Sequence, residues 1–197
     1  YKHILIIRDP RDIAVSLANH YRKFESYRLY SFFKKIKDID EKLKYTIGGI
    51  RNVEENKKLY FFIKIQKLKK ALGLNYAQYK NLNLSSIPSN FKRFNRWLNN
   101  DNVLTVKFED LIGEVGGGDL KAQIKTIKQI LNYLEIEPKN DLVEYISQNV
   151  FWKKSMTFHK GQIGTYRDFF KPEHKKLFKE ISGDLLIRLG YEKDNNW

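Results

Sequence analysis

Cysteine is missing altogether from these 197 residues, proline occurs only four times and methionine once. Without thiols there is no disulfide bridge, thiolate metal site, iron–sulfur cluster or cysteine nucleophile, and the absence favours a reducing compartment, with the cytoplasm as the expected location. Long apolar runs are lacking too. The longest strong one, Ile4-Leu5-Ile6-Ile7, falls far short of the roughly 18 residues of a spanning helix, so no membrane span is expected. The histidines (His3, His20, His159 and His174) are scattered, and no grouping with Asp or Glu has metal-ligand spacing, so no metal is expected. A Walker loop, a full dinucleotide fingerprint and a Gly-x-Ser-x-Gly elbow are likewise absent.

What is present is material for a core and an excess of positive charge. Hydrophobic residues make up 42% of the chain and aromatic residues 14%, enough for one globular domain and too much for a disordered or collagenous chain. Lys and Arg number 37 against 23 Asp and Glu, a formal net charge of +14, and more than half of that excess falls in residues 31–80. There Lys34, Lys35, Lys37, Lys57, Lys58, Lys64, Lys67, Lys69 and Lys70 are interleaved with Phe32, Phe33, Leu59, Phe62, Ile63, Leu68 and Leu72 at spacings near three and four. The pattern predicts amphipathic helices with a lysine face. Such a face is first of all a solvated one; attraction of an anionic ligand, or contact with nucleic acid or a membrane surface, are the alternatives.

Residues 1–7 run into a solid apolar stretch, as expected of a short strand buried on both faces of a parallel sheet. Tyr1 opens directly inside that stretch, which leads us to expect a preceding segment. Asp9-Pro10 then supplies an N-cap and a first helical residue, so a helix is predicted from Pro10 through Ile13, Ala14, Leu17 and Tyr21 to about Phe24. Further helices are predicted over 31–46, 53–72, 89–98, 119–134, 140–149 and 172–189, with Gly190 stopping the last. Residues 73–88 read as a loop. Val103 to Phe108 reads as a second strand, and Gly113 with Gly116-Gly117-Gly118 as a flexible connection. The fold class is therefore α/β and helix-rich, a parallel sheet flanked by helices in a single domain over 1–197.

Two stretches carry the chemistry of anion binding. In Arg8-Asp9-Pro10-Arg11-Asp12-Ile13-Ala14-Val15-Ser16, Arg8 stands at the carboxyl end of a strand beside a helix N-terminus, where its guanidinium can fork onto an oxyanion. Ser16, farther along the helix, can add a hydroxyl, and Asp12 in the first turn suits the helix dipole. In Phe158-His159-Lys160-Gly161-Gln162-Ile163-Gly164-Thr165-Tyr166, Gly161 and Gly164 let backbone amides approach an anion, and Lys160 adds charge.

Together and in this order the two stretches resemble motifs of the cytosolic-type sulfotransferases that use 3′-phosphoadenosine-5′-phosphosulfate (PAPS). The family's Arg-x-Pro-x-Asp-x-x-x-Ser is similar to Arg8, Pro10, Asp12 and Ser16, and its Arg-Lys-Gly-x-x-Gly-x-Trp to His159 through Tyr166. Phe108-Glu109-Asp110-Leu111 resembles the Tyr-Glu-Asp-Leu segment whose aromatic lies near the adenine. The resemblance implies a P-loop-NTPase-like fold of which this chain is the C-terminal portion. It implies PAPS as sulfuryl donor, Arg8 and Ser16 on the 3′-phosphate, His159, Lys160 and Gly161 as a closing loop, and Phe108 as an adenine wall. It implies a small-molecule, carbohydrate or lipid acceptor whose hydroxyl or amine is sulfated, with residues 25–100 on the acceptor side.

The departures matter. His159 replaces an always-charged Arg, and Phe108 replaces Tyr. The family's 5′-phosphosulfate loop and catalytic base precede its first matching strand, so no catalytic residue is expected in 1–197, and the piece alone is expected to be a weak cofactor binder. Two other classes stay open on the residues alone: a basic polyanion- or nucleic-acid-binding module, which fits +14 but not the Arg8–Ser16 spacing, and a non-catalytic interaction protein on the same fold, for which His159 is the best hint.

Overall fold

The computed structural model describes residues 1–20, 30–49, 57–74, 85–150 and 161–197. In chain order the elements are β1 (His3–Ile7), α1 (Pro10–His20), α2 (Tyr30–Lys35), α3 (Ile39–Gly48), α4 (Lys57–Ala71), α5 (Ile87–Leu98), β2 (Val103–Lys107), α6 (Phe108–Leu111), α7 (Leu120–Tyr133), α8 (Asn140–Asn149), α9 (Tyr166–Phe169), α10 (Pro172–Ser182) and α11 (Leu185–Arg188), with a 3₁₀ turn at Glu114–Gly116. The protein is α/β, helix-rich, with a small parallel sheet. Its contacts divide it into two compact units, Tyr1–Asp12 with Phe91–Thr165, and Ile13–Asn90 with Tyr166–Trp197. No helix among the described residues is long and apolar enough to cross a membrane.

In the first unit β1 and β2 pair in parallel, His3 opposite Val103 through Ile7 opposite Lys107. Both strands are rich in Ile, Val and Leu, which suit a pleated surface. Tyr133 ties the starts of the two strands: its hydroxyl accepts from the His3 N–H (3.2 Å) and donates to the Asn102 carbonyl (2.5 Å). Asp119 caps α7 by accepting from the Ala122 N–H at 2.8 Å. The apolar stripe of α7 places Ile127 and Leu131 against Val143 of α8, with Leu111, Ile124, Leu142 and Ile146 around them. Each such buried side chain contributes about 1.5–3 kcal/mol by leaving water. Gln123, buried in the same helix, is satisfied by the carbonyls of Leu111 and Ser147.

Burial of β1 on both faces does not occur. Ile7 is buried, but Ile4 and Ile6 are 37% and 52% exposed, because the sheet among the described residues has only two strands. Phe108, expected to close the second strand, instead begins α6. The connection expected to be flexible contains the 3₁₀ turn and is closely packed around its glycines.

In the second unit, two of the predicted helices are each two helices. Residues 31–46 break at 36–38 because Asp38 caps a new helix, its side chain accepting from the Asp40 N–H at 3.0 Å. The stretch 172–189 breaks at Gly183, whose φ of 55° is left-handed; its N–H closes α10 on the Lys179 carbonyl and Leu185 starts afresh. Along α4 Phe61 and Leu68 are exposed together with Lys64, Lys67, Lys69 and Lys70, as is Leu72 just past its end; the side chains of Leu59, Phe62 and Ile63, which carried the predicted apolar face, lie outside the described residues. The ends of the predicted helices at 21–24 and 53–56, and most of the 73–88 loop, lie outside the described residues.

α10 packs on α3, and His174 is the pin between them. It is fully buried; its Nδ1 accepts from the Lys171 N–H at 3.1 Å and its Nε2 meets the Asp40 carbonyl at 3.2 Å, so Nε2 carries the hydrogen. The Phe170 ring lies tilted against it and against Phe178, and Trp197 meets Phe178 edge-on. His174→Ala is expected to destabilise the fold by roughly 2–4 kcal/mol, the sum of a cavity and stranded polar groups, read by denaturant titration.

The Lys171 ammonium donates to the Asp40 carboxylate beside that pin. This hydrogen bond, with the ammonium charge, holds the Asp40 carboxyl below its ordinary 3.8, and the same contact holds Lys171 above 10.5. The Asp40 contribution is therefore complete above about pH 3.8 and is lost as pH falls through the lower folded value; that of Lys171 is complete below 10.5 and is lost as pH rises through its folded value. Asp40→Asn is expected to lower the melting temperature at pH 7, with the difference from wild type shrinking toward zero as melts are repeated below pH 3.8.

Candidate anion-binding site

The site grows from the end of β1. Pro10 fixes the first helical φ of α1, and the preceding Asp9 accepts from the Arg11 N–H at 2.9 Å. The Arg11 guanidinium closes on the same carboxylate with three contacts of 2.7–3.2 Å, both side chains being buried. From α6, Glu109 accepts the Asp9 N–H at 2.9 Å, so the strand-to-helix turn is held from outside as well. The result is a stiff corner from which Arg8 projects.

Arg8 is brought together with two distant segments. Its guanidinium lies over the Phe108 ring, 4.5 Å from the centroid, and its Nη2 donates to the Gln162 carbonyl at 2.8 Å. Asp12 Oδ2 is 3.7 Å from the same nitrogen. The Arg8 Nε is buried and has no hydrogen-bond partner among the described residues. A buried guanidinium nitrogen left in this way costs free energy unless an acceptor completes it.

The 161–165 loop is fixed in two places within this unit. Gly164 N–H and Thr165 Oγ1 donate to Asp12 at 2.7 and 3.0 Å. Ile163 N–H and Gln162 Nε2 donate to the carbonyls of Gly116 and Val115, each at 3.1 Å. One expectation is thereby refined: the anion that the Gly164 amide meets is the protein's own Asp12 carboxylate, with Gly164 at a φ of 73° that glycine adopts freely. The glycine triplet is corrected. A Cβ on Gly116 would stand 2.3 Å from Ile112 Cγ1 and 2.8 Å from the Gly161 carbonyl oxygen, and one on Gly118 2.9 Å from the Glu109 carbonyl oxygen. The triplet is a packed wall behind the loop.

The Sulfotransferase domain family matches residues 1–190. This chain belongs to that family. Among solved structures, a crystal structure of mouse sulfotransferase SULT7A1 complexed with PAP matches with a TM-score of 0.59 at 18% identity, over 96% of this chain and 62% of that one. The chain thus spans under two thirds of the length of the solved structure it matches, and at that identity the likeness speaks to the fold. No curated protein sequence matches.

Of the residues expected from the sulfotransferase motifs, Arg8 and Phe108 meet directly, and Gly161 lies against Gly116. One face of the Phe108 ring carries the Arg8 guanidinium. Ser16, half-buried one turn beyond Asp12 on α1, falls in the second unit. His159 and Lys160 lie outside the described residues. Sequence reasoning missed Glu109, Gln162 and Gly116 as parts of the site. The glycine triplet was the one available signal, a run that a surface loop does not need.

Proposed function

We propose that this sulfotransferase transfers a sulfuryl group from PAPS to the hydroxyl or amine of a small-molecule, carbohydrate or lipid acceptor, and that the described corner is the 3′-phosphate-binding half of its cofactor site. The buried, unpartnered Nε of Arg8 carries this reading. A planar guanidinium backed by an aromatic ring, with one donor edge unpartnered among the described residues, suits a phosphate oxygen. The PAP complexed with the mouse sulfotransferase has the same kind of group to offer.

In this proposal Arg8 binds the 3′-phosphate through its free edge and Ser16 adds a hydroxyl donor. Lys160 brings charge and His159 a second ring donor from the closing loop, while Gly161 gives that loop room and Phe108 keeps the guanidinium flat. PAPS, when bound, supplies the activated sulfuryl group. Residues 1–197 bind and orient; the proton-accepting base and the 5′-phosphosulfate loop are assigned to no residue among them, and the isolated piece is expected to bind cofactor weakly and turn over none.

The test is calorimetric titration of the intact protein with adenosine 3′,5′-bisphosphate and, separately, with the 2′,5′ isomer and with RNA. Saturable binding of the 3′,5′ compound, weaker by tenfold or so for the isomer, is expected from one misplaced charge-assisted contact. Equal binding of the two isomers, or RNA binding that outcompetes both, would overturn the reading. Sulfation of phenol, sugar and sterol hydroxyl panels then assigns the acceptor.

A further inference from the structure

Asp12 is buried to 1% exposure, at the helix end where the 161–165 loop meets α1. Its carboxylate is directed at that loop: Oδ2 takes the Gly164 N–H and Oδ1 the Thr165 hydroxyl, from residues more than 150 positions away. Two residues upstream of Gly164, the Gln162 carbonyl receives Arg8 Nη2 at 2.8 Å. The short run from Gln162 to Thr165 thus connects the carboxylate to the guanidinium mechanically, besides the 3.7 Å electrostatic approach of Asp12 to Arg8. We propose that Asp12 is a positioning residue of the cofactor site, a latch that sets the loop so that the Gln162 carbonyl holds one edge of Arg8 and leaves the other to the anion. The proposal rests on the reading of Arg8 given above.

The physical argument turns on what a buried carboxylate requires. Ionised, it accepts only, and two strong donors on separate oxygens satisfy it and order the segment that supplies them. An amide in its place can take the Gly164 N–H on its oxygen and donate its NH₂ to the Thr165 hydroxyl oxygen, but both contacts lose their charge assistance and hold the loop less firmly. Charge alone works in the opposite direction. Removing a negative group beside Arg8 strengthens the field felt by an anion, so a latch and a mere charge neighbour predict opposite signs.

The test compares Asp12→Asn, Thr165→Val and Thr165→Ser with wild type in the intact protein, with Arg8→Ala as reference, by titration with adenosine 3′,5′-bisphosphate and by hydrogen exchange at the Gly164 amide. Asp12→Asn is expected to weaken binding about tenfold and to speed Gly164 exchange by a similar factor. Thr165→Val, which leaves every charge in place, is expected to weaken binding about threefold, and Thr165→Ser to restore it, since the hydroxyl is what Asp12 accepts from. The double variant Asp12→Asn/Thr165→Val is expected to be no worse than Asp12→Asn alone, because both cut one latch. Unchanged or tighter binding in Asp12→Asn, or Thr165→Ser behaving as Thr165→Val, overturns the latch. If wild type fails to bind, or Arg8→Ala binds as wild type does, it is the cofactor-site reading that falls; Gly164 exchange still reports whether Asp12 holds the loop.

Discussion

Arg8→Ala is expected to weaken adenosine 3′,5′-bisphosphate binding about 100-fold, to the point where calorimetry sees no saturation. The magnitude follows from the kind of contact. Truncating one member of a desolvated, hydrogen-bonded charge pair costs roughly 2–5 kcal/mol, and each 1.4 kcal/mol is about a factor of ten. Arg8 fits that class because its Nε is buried and unpartnered among the described residues while its Nη2 is already committed to the Gln162 carbonyl. The fold itself should lose about 1–3 kcal/mol, since the Gln162 carbonyl is released, the Phe108 ring loses its cation and the buried Asp12 loses a charge neighbour at 3.7 Å. Arg8→Lys separates charge from shape: an ammonium keeps the sign but can neither lie flat over Phe108 nor serve Gln162 and an anion along two edges, so affinity is expected about tenfold below wild type. Binding in Arg8→Ala equal to wild type, in a protein with an unaltered melting curve, would remove the cofactor site from this corner.

Gly116→Ala is the substitution with the next largest expected effect, and it acts by volume alone. The added methyl would stand 2.3 and 2.4 Å from the Ile112 side chain and 2.8 Å from the Gly161 carbonyl oxygen. Ile112 is itself buried, and the Gly161 oxygen is backbone, so neither can step aside cheaply. Overpacking of this kind costs about 1–3 kcal/mol in stability. The strain falls on the hydrogen bond from Ile163 N–H to the Gly116 carbonyl, which holds the loop to the wall, so affinity for the bisphosphate should drop together with the melting temperature. Gly48→Ala is the contrast. There, among the described residues, the new methyl meets Ile181 Cδ1 at an ordinary 3.5 Å, within helical backbone, and the change is expected to be neutral or to stabilise by up to about 1 kcal/mol. If both glycine variants melt together, the triplet is no wall.

Much of this was written locally. The turn from β1 into α1 follows from Asp9-Pro10 after an apolar run, and the strand at 103–107, the helix at 120–133 and the helix at 140–149 follow from periodicity and caps. Arg8 stood out because a cation at a strand's end beside a helix start is a chemical statement that needs no partner to be read. The break at Gly183 was missed because glycine inside an apolar stripe is tolerated in a helix, and nothing local says whether its φ will turn positive. Exposure of Ile4 and Ile6 was missed because a run of β-branched residues records the capacity to be covered, and how many strands lie alongside is a matter of long-range pairing.

Composition, strand-to-helix punctuation and periodicity determined by themselves the class of fold, and the spacing of Arg8, Pro10, Asp12 and Ser16 supplied the family motif on which the proposed ligand chemistry rests. Tertiary structure alone decided that Asp12 is spent on Gly164 and Thr165, that Phe108 lies under Arg8, and that the glycine triplet is a wall for the loop. The reason is one of range. Propensity, capping and residue chemistry act over a few positions, whereas the partner of a buried carboxylate or the neighbour of a missing Cβ is fixed only when segments over 40 to 150 residues apart close on each other and every desolvated donor must find an acceptor.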